Sequence, residues 1–143
     1  MRASTALSTR NLVRAIVPFI VIFSAATMIF GQRTKPVEKG QWGATGLSMD
    51  VADTGATLAF DCADASIAKQ LRVKRDGSFV AEGTFMRSGP GPVRVGDQGR
   101  SAIFKGKVKG KTMTLHITDA KTGESLGEYS LTQGLQVRLH RCL

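Results

Sequence analysis

From Trp42 to the C-terminus, apolar and polar residues alternate in short stretches that are separated by turn residues. Leu47, Met49 and Val51 share one face in this pattern, whose period is two rather than the 3.6 residues of a helix. Turns that contain glycine, such as Lys109-Gly110, join the stretches and are typical of β-hairpins. The pattern predicts eight strands, over residues 42–51, 56–62, 71–74, 79–85, 102–108, 113–118, 126–132 and 137–141.

Each predicted strand has a single apolar face, which indicates a sheet with core on one side and solvent on the other. A meander of strands leaves two edges unpaired, and closure into a barrel removes both of them. The sequence therefore predicts an all-β domain over residues 42–143, folded as a small eight-stranded antiparallel up-and-down barrel rather than a two-sheet sandwich.

The N-terminal 32 residues have a different composition. The first 14 residues contain three arginines and no acid, and residues 15–32 carry no charge. A basic stretch followed by an apolar one predicts an export signal. Two fates stay open, because the chain could be cleaved after Ala26 or keep a segment just long enough to span a bilayer. Either way the domain is expected outside the cytoplasm, periplasmic, secreted or membrane-anchored, with residues 33–41 as a polar linker.

The chain has two cysteines, Cys62 and Cys142. An even pair in a small exported domain predicts a disulfide bond, and two buried free thiols are the alternative. Two cysteines without a C-x-x-C spacing, beside only two histidines, do not match a zinc site. No metal or cofactor is expected.

The formal charge is +9, from 20 basic and 11 acidic residues. This charge favours contact with anionic surfaces such as phospholipid headgroups or acidic polymers. The basic residues are dispersed and aromatic residues are few, so a nucleic acid is not an expected partner.

The sequence contains none of the short motifs of metalloproteases, serine hydrolases or nucleotide-binding enzymes, and it predicts a protein that is not an enzyme. The longest predicted loop runs from 87 to 100, and its Arg87, Arg94 and Arg100 form a candidate binding loop for a carboxylate or phosphate. A solvated connector is the alternative for this loop. Lys105 and Lys107 share an outward face, which predicts a patch that contacts anionic partners. The alternative is that these lysines only keep an exposed strand from pairing with a neighbour.

Two resemblances add expectations. The stretches GQWGATGLSMDV, GATLAFDCA, KTMTLHITDAKTGESLG and RLHRCL resemble a family of small exported bacterial proteins without an assigned activity. Gly40-Gln41-Trp42 before a late arginine resembles the calycins, which include lipocalins, avidins and a periplasmic metalloprotease-inhibitor family. The calycin resemblance implies that Trp42 closes one end of the barrel and that Arg138 or Arg141 lies across it in a cation–π contact.

These patterns predict a non-enzymatic binding or interaction domain of the cell envelope. Its expected partner is a small apolar or amphipathic ligand, or another exported protein, with membrane contact through the N-terminal segment if that segment is kept. The alternative is an inhibitor of an exported protease that uses residues 33–41 as an extended arm.

Overall fold

A computed structural model describes residues 31, 33–88, 99–140 and 142. The predicted export signal or anchor, residues 1–32, therefore lies outside the described residues except for Gly31. No helix in the described part of the chain is long and apolar enough to cross a membrane. The strands, in chain order, are β1 (Lys35–Pro36), β2 (Gly40–Ala44), β3 (Leu47–Ala52), β4 (Gly55–Phe60), β5 (Ala63–Ile67), β6 (Arg72–Val73), β7 (Ser78–Arg87), β8 (Arg100–Lys109), β9 (Thr112–Asp119) and β10 (Ser125–Gln133).

Eight of these strands form a closed antiparallel barrel in the order β10-β2-β3-β4-β5-β7-β8-β9. Each strand pairs with the next barrel strand along the chain, and β10 returns to pair with β2. The predicted all-β, eight-stranded up-and-down barrel is confirmed. The two remaining strands, β1 and β6, pair with each other in a separate two-stranded sheet.

Several predicted strand boundaries were wrong. The first predicted strand, 42–51, is two strands, because the chain turns at Thr45-Gly46 between β2 and β3. Strand β5 was not predicted, because its residues are mostly small. The predicted strand over 71–74 corresponds only to β6, which lies outside the barrel. The described residues of 137–141 contain no strand.

The barrel interior is filled by large apolar side chains. Burial alternates along the strands as the period of two requires, for example in β9, where Met113, Leu115 and Ile117 are fully buried. Gly106 in β8 faces Phe79 in the paired strand β7, and a side chain at Gly106 would collide with the Phe79 ring. The absence of a side chain there lets an aromatic ring occupy the space, and burial of such a side chain contributes about 2 kcal/mol.

One end of the barrel, here called the floor, carries the turns β3–β4 and β8–β9 and the connection of residues 68–77 between β5 and β7. The β1–β6 sheet belongs to this end. Val37 is 4% exposed, packs with Leu71 in the core, and donates its N–H to the Leu71 carbonyl oxygen at 2.9 Å. The predicted polar linker of residues 33–41 is thus largely part of the folded domain, because its one apolar residue is buried and Gly40 and Gln41 begin β2.

The opposite end, here called the mouth, carries the turns β2–β3, β4–β5 and β9–β10 and the long connection β7–β8. Ten residues of that connection, 89–98, lie outside the described part of the chain.

The described residues after β10 (134–140 and 142), here called the C-terminal tail, cross the outer wall of the barrel toward the mouth. Only Thr132 and Gln133 pair β10 with β2. The tail then passes over Gly43, where any side chain would collide with the carbonyl oxygen of Leu135. It ends at the β4–β5 turn, where Cys142 is disulfide-bonded to Cys62 with the two Cα atoms 5.3 Å apart.

The disulfide confirms the predicted cysteine pairing. A native disulfide is consistent with an oxidising location such as the space outside the cytoplasm.

Candidate functional site

A pocket of about 450 Å³ opens at the mouth of the barrel. Its apolar wall consists of Phe60 at the end of β4 and Tyr129 in β10. Polar groups come from Asp61 and Ser88 on the adjacent connections and from Arg87 at the end of β7. The pocket therefore combines aromatic surface with a guanidinium, a carboxylate and hydroxyl groups, which suits a small amphipathic ligand.

The aromatic wall is built by three strands. The Phe60 ring lies edge-on to Phe85 of β7, with centroids 5.5 Å apart, and tilted against Tyr129, with centroids 5.3 Å apart. These arrangements are the favoured ones for aromatic pairs. Gly127, two residues before Tyr129, leaves room for the tyrosine ring, because a side chain there would come within 2.7 Å of Tyr129 Cε2.

Tyr129 is half-buried at this site. Burial, and then the charge of the Asp61 carboxylate, raises the pKa of the Tyr129 hydroxyl above its usual value. The hydroxyl is therefore a neutral hydrogen-bond donor and acceptor at physiological pH. Asp61 itself is positioned by the C-terminal tail, since its Oδ1 accepts the His140 backbone N–H at 2.7 Å.

The candidate binding loop is only partly at this pocket. Arg87 lines the pocket, and Arg100 begins β8 at the other base of the same loop, paired with Phe85. Arg94 lies outside the described residues. The three arginines thus remain a predicted set, of which the structure places Arg87 at the pocket.

Arg100 instead lies near a buried carboxylate at the end of β9. Its Nη1 lies 3.8 Å from Oδ2 of Asp119, which is 5% exposed. Asp119 Oδ1 accepts the backbone N–H groups of Lys121 and Thr122 at 2.8 and 3.1 Å. The Thr122 and Lys121 N–H groups, followed by the charge of Arg100, hold the pKa of Asp119 below its usual value. This carboxylate therefore stabilises the β9–β10 turn.

A second pocket, of about 490 Å³, lies between the C-terminal tail and the outer wall. Leu139, His140 and Cys142 form its tail side, and Asp64 and Ser88 belong to its wall side. Ser88 Oγ donates to Asp64 Oδ2 at 3.2 Å. Both pockets border Phe60 and Asp61, so the position of the tail shapes the mouth on its outer side.

Trp42 is fully buried, and its Nε1 donates to the carbonyl oxygen of Glu38 at 3.1 Å. Glu38 lies in the segment between β1 and β2, at the floor. Arg138 is exposed in the C-terminal tail, and Arg141 lies outside the described residues. A cation–π contact of an arginine with Trp42 stays a prediction.

The remaining polar residues that the sequence singles out have structural partners or lie on the surface. His116 Nε2 is 3.1 Å from Ser125 Oγ of the neighbouring strand. Lys105 and Lys107 are exposed on β8. Among the described residues, no group of three or more histidine, cysteine, aspartate or glutamate side chains is arranged to hold a metal ion.

Comparison of the chain with protein-family models, with curated proteins and with solved structures finds no significant match. The resemblances to small exported bacterial proteins and to calycins therefore remain predictions.

Sequence reasoning missed Tyr129, the central residue of the pocket wall. A signal for it was present, because Tyr129 is two residues from the fully buried Leu131 in a strand with period two, which places both on the inner face. Asp61 was not predicted as a pocket residue because its role depends on the tail, which contacts it from 79 positions away in sequence.

Proposed function

We propose that this protein is a non-enzymatic binding domain of the cell envelope that holds a small amphipathic ligand at the mouth of its barrel. The observation that carries the proposal is the mouth pocket, which is lined by Phe60 and Tyr129 together with Arg87. An apolar wall next to a cation accommodates an acyl or aromatic group with its carboxylate or phosphate.

The core supports a site at the mouth rather than in the barrel centre. Trp42, Phe104 and Leu115 are fully buried there and fill the middle of the barrel, as in other small barrels whose side chains occupy the interior. The ligand of the proposal is therefore bound between the rim connections, with one end exposed to solvent.

The proposed location is outside the cytoplasm. Support comes from the disulfide between Cys62 and Cys142 and from the basic and apolar N-terminal sequence, which together are typical of exported proteins.

The protease-inhibitor alternative gains no support from its proposed arm. Lys35 and Pro36 pair with β6, and Val37 is buried, so the middle of this segment is not free to extend into an active site.

The test is calorimetric titration of the protein with a medium-chain fatty acid and with the alcohol of equal length. We expect one saturable site. We also expect Arg87→Gln to weaken binding of the acid by about tenfold, because the variant loses a charge-assisted hydrogen bond to the carboxylate. The alcohol should bind the variant and the wild type equally. Lys121→Gln, which removes a cation from the same end but outside the pocket, is the matched control. Failure of Arg87→Gln to distinguish acid from alcohol would exclude the proposed site.

A further inference from the structure

The floor of the barrel is strongly basic. The connection between β5 and β7 and the end of the β8–β9 hairpin carry exposed basic side chains: Lys69, Lys74, Arg75, Lys107, Lys109 and Lys111. The segment that leads into the barrel adds Arg33, Lys35 and Lys39 to the same end. Backbone hydrogen bonds hold the parts together, including one from Val108 N–H to the Gly77 carbonyl oxygen at 2.9 Å.

The acidic residues of the floor do not cancel this charge. Asp53 is paired with Lys39 at 2.6 Å, and Asp76 Oδ1 accepts the Ser78 hydroxyl and N–H at 2.7 and 3.0 Å. Glu38 and Asp50 add to these two, and the four described acids of the floor stand against the nine basic residues named above. The floor therefore keeps a large excess of positive charge.

The mouth has a different balance. Its described residues include the acids Asp61, Asp64, Asp119 and Glu124 beside the cations Arg87, Arg100 and Lys121. Among the described residues, the excess of positive charge thus lies at the end opposite the ligand pocket. Such a charge asymmetry orients a protein in the electrostatic field of a charged surface.

We propose that the floor docks on the surface of a bilayer that contains anionic lipid, with the mouth directed away from it. Clusters of lysine and arginine next to an apolar segment are attracted by the surface potential of anionic lipids. In this chain the uncharged run of residues 15–32 is followed directly by Arg33 and by the floor residue Lys35.

The chemistry of the floor favours a lipid surface over a single phosphate ligand. A specific phosphate site uses bidentate arginine or convergent backbone N–H groups. The floor is instead dominated by lysine ammonium groups on flexible side chains, spread over several exposed turns. These groups act as separate point charges, which matches the diffuse potential of a headgroup layer.

The test uses the full chain reconstituted in vesicles of phosphatidylcholine, alone or mixed with phosphatidylglycerol. A membrane-impermeant reagent acetylates accessible lysines, and mass spectrometry gives the extent at each position. The quantity compared is the extent of acetylation at each floor lysine divided by that at Lys121 at the mouth. We expect this ratio to be roughly threefold or more lower in the anionic vesicles for Lys74, Lys107, Lys109 and Lys111. About 1 M salt should restore it, because the Debye length then shrinks to about 3 Å.

Two variants sharpen the test. The triple substitution K107Q/K109Q/K111Q should restore modification of Lys74 in anionic vesicles. Arg100→Gln, which removes a cation at the mouth and keeps Lys121 as the reference, should leave Lys74 protected. Equal ratios in the two lipid compositions would overturn the proposal, as would protection that salt does not remove. Stronger protection by soluble polyphosphate than by phosphatidylglycerol would also overturn it, in favour of an acidic polymer. The measurement involves no mouth ligand and is independent of the proposed function.

Discussion

Tyr129 and Trp42 are the single tyrosine and the single tryptophan of the chain, and they report on different parts of the barrel. Trp42 is fully buried and bonded to the Glu38 carbonyl near the floor. Tyr129 is half-buried at the mouth, against Phe60. Spectroscopy can therefore follow the core and the candidate site separately in the unmodified protein.

The first prediction concerns the ionisation of Tyr129. Its pKa in the folded protein is raised by burial and by Asp61, so absorbance titration should give a higher pKa in the native protein than in urea. Asp61→Asn should lower the native pKa part of the way, because burial remains. Asp64→Asn, which leaves Asp61 in place, is the control.

The sign of the effect on stability follows from the same shift. A raised pKa means that the folded state favours the protonated phenol, so this contribution is present below the unfolded pKa of about 10 and is lost as pH rises through the folded pKa. The free energy of unfolding should therefore fall more steeply above pH 10 in the wild type than in Tyr129→Phe. Identical slopes in the two proteins would contradict this assignment.

At the level of elements, alternation predicted the barrel but not all of its strands. β5 is formed by Ala63–Ile67, whose small and polar residues give only a weak strand signal. Residues 137–140 alternate like a strand, with Val137 and Leu139 half-buried, yet they lie outside the barrel in the tail. The sequence pattern indicates which side chains are buried. It does not show whether they are buried in a paired strand or in a segment that lies outside the sheet.

The mouth pocket illustrates the same limit. Arg87 could be proposed from the sequence because it starts a long loop. The proximity of Phe60, Asp61 and Tyr129 depends on barrel closure and on the tail, which join parts of the chain that are distant in sequence. Such contacts follow from topology and have no local sequence signal.

The second prediction tests the contribution of β1 and its neighbours to the fold. Val37→Ala should lower the free energy of unfolding by about 2 kcal/mol, because Val37 is 4% exposed and packs in the core. The same substitution at Val80, which is 62% exposed in β7, should change it by less than about 0.5 kcal/mol. Denaturant unfolding followed by Trp42 fluorescence measures both. Equal effects would show that the segment before β2 is a linker after all.

At the scale of the whole molecule, the disulfide encloses most of the barrel. Cys62 and Cys142 are 80 residues apart in sequence, and the bond holds the C-terminal tail at the β4–β5 turn. The bond thus restricts the unfolded chain over five of the barrel strands. In the folded protein it holds the tail in place as one side of the second pocket.

The third prediction is that Cys142→Ser lowers the free energy of unfolding by about 4 kcal/mol, the chain-entropy value for a loop of this length. Reductant should destabilise the wild type by a similar amount. It should have no effect on the double variant Cys62→Ser/Cys142→Ser, which serves as the control. A Cys142→Ser protein as stable as the wild type would contradict the role given to the tail.

The pairing of β10 with β2 has a consequence for how the protein is made. A ring of strands whose last member joins the first cannot be completed before β10 has been synthesised, so the nascent chain carries open strand edges until then. Contacts between such distant parts form slowly, and loss of β10 would leave the ring open rather than shorten it.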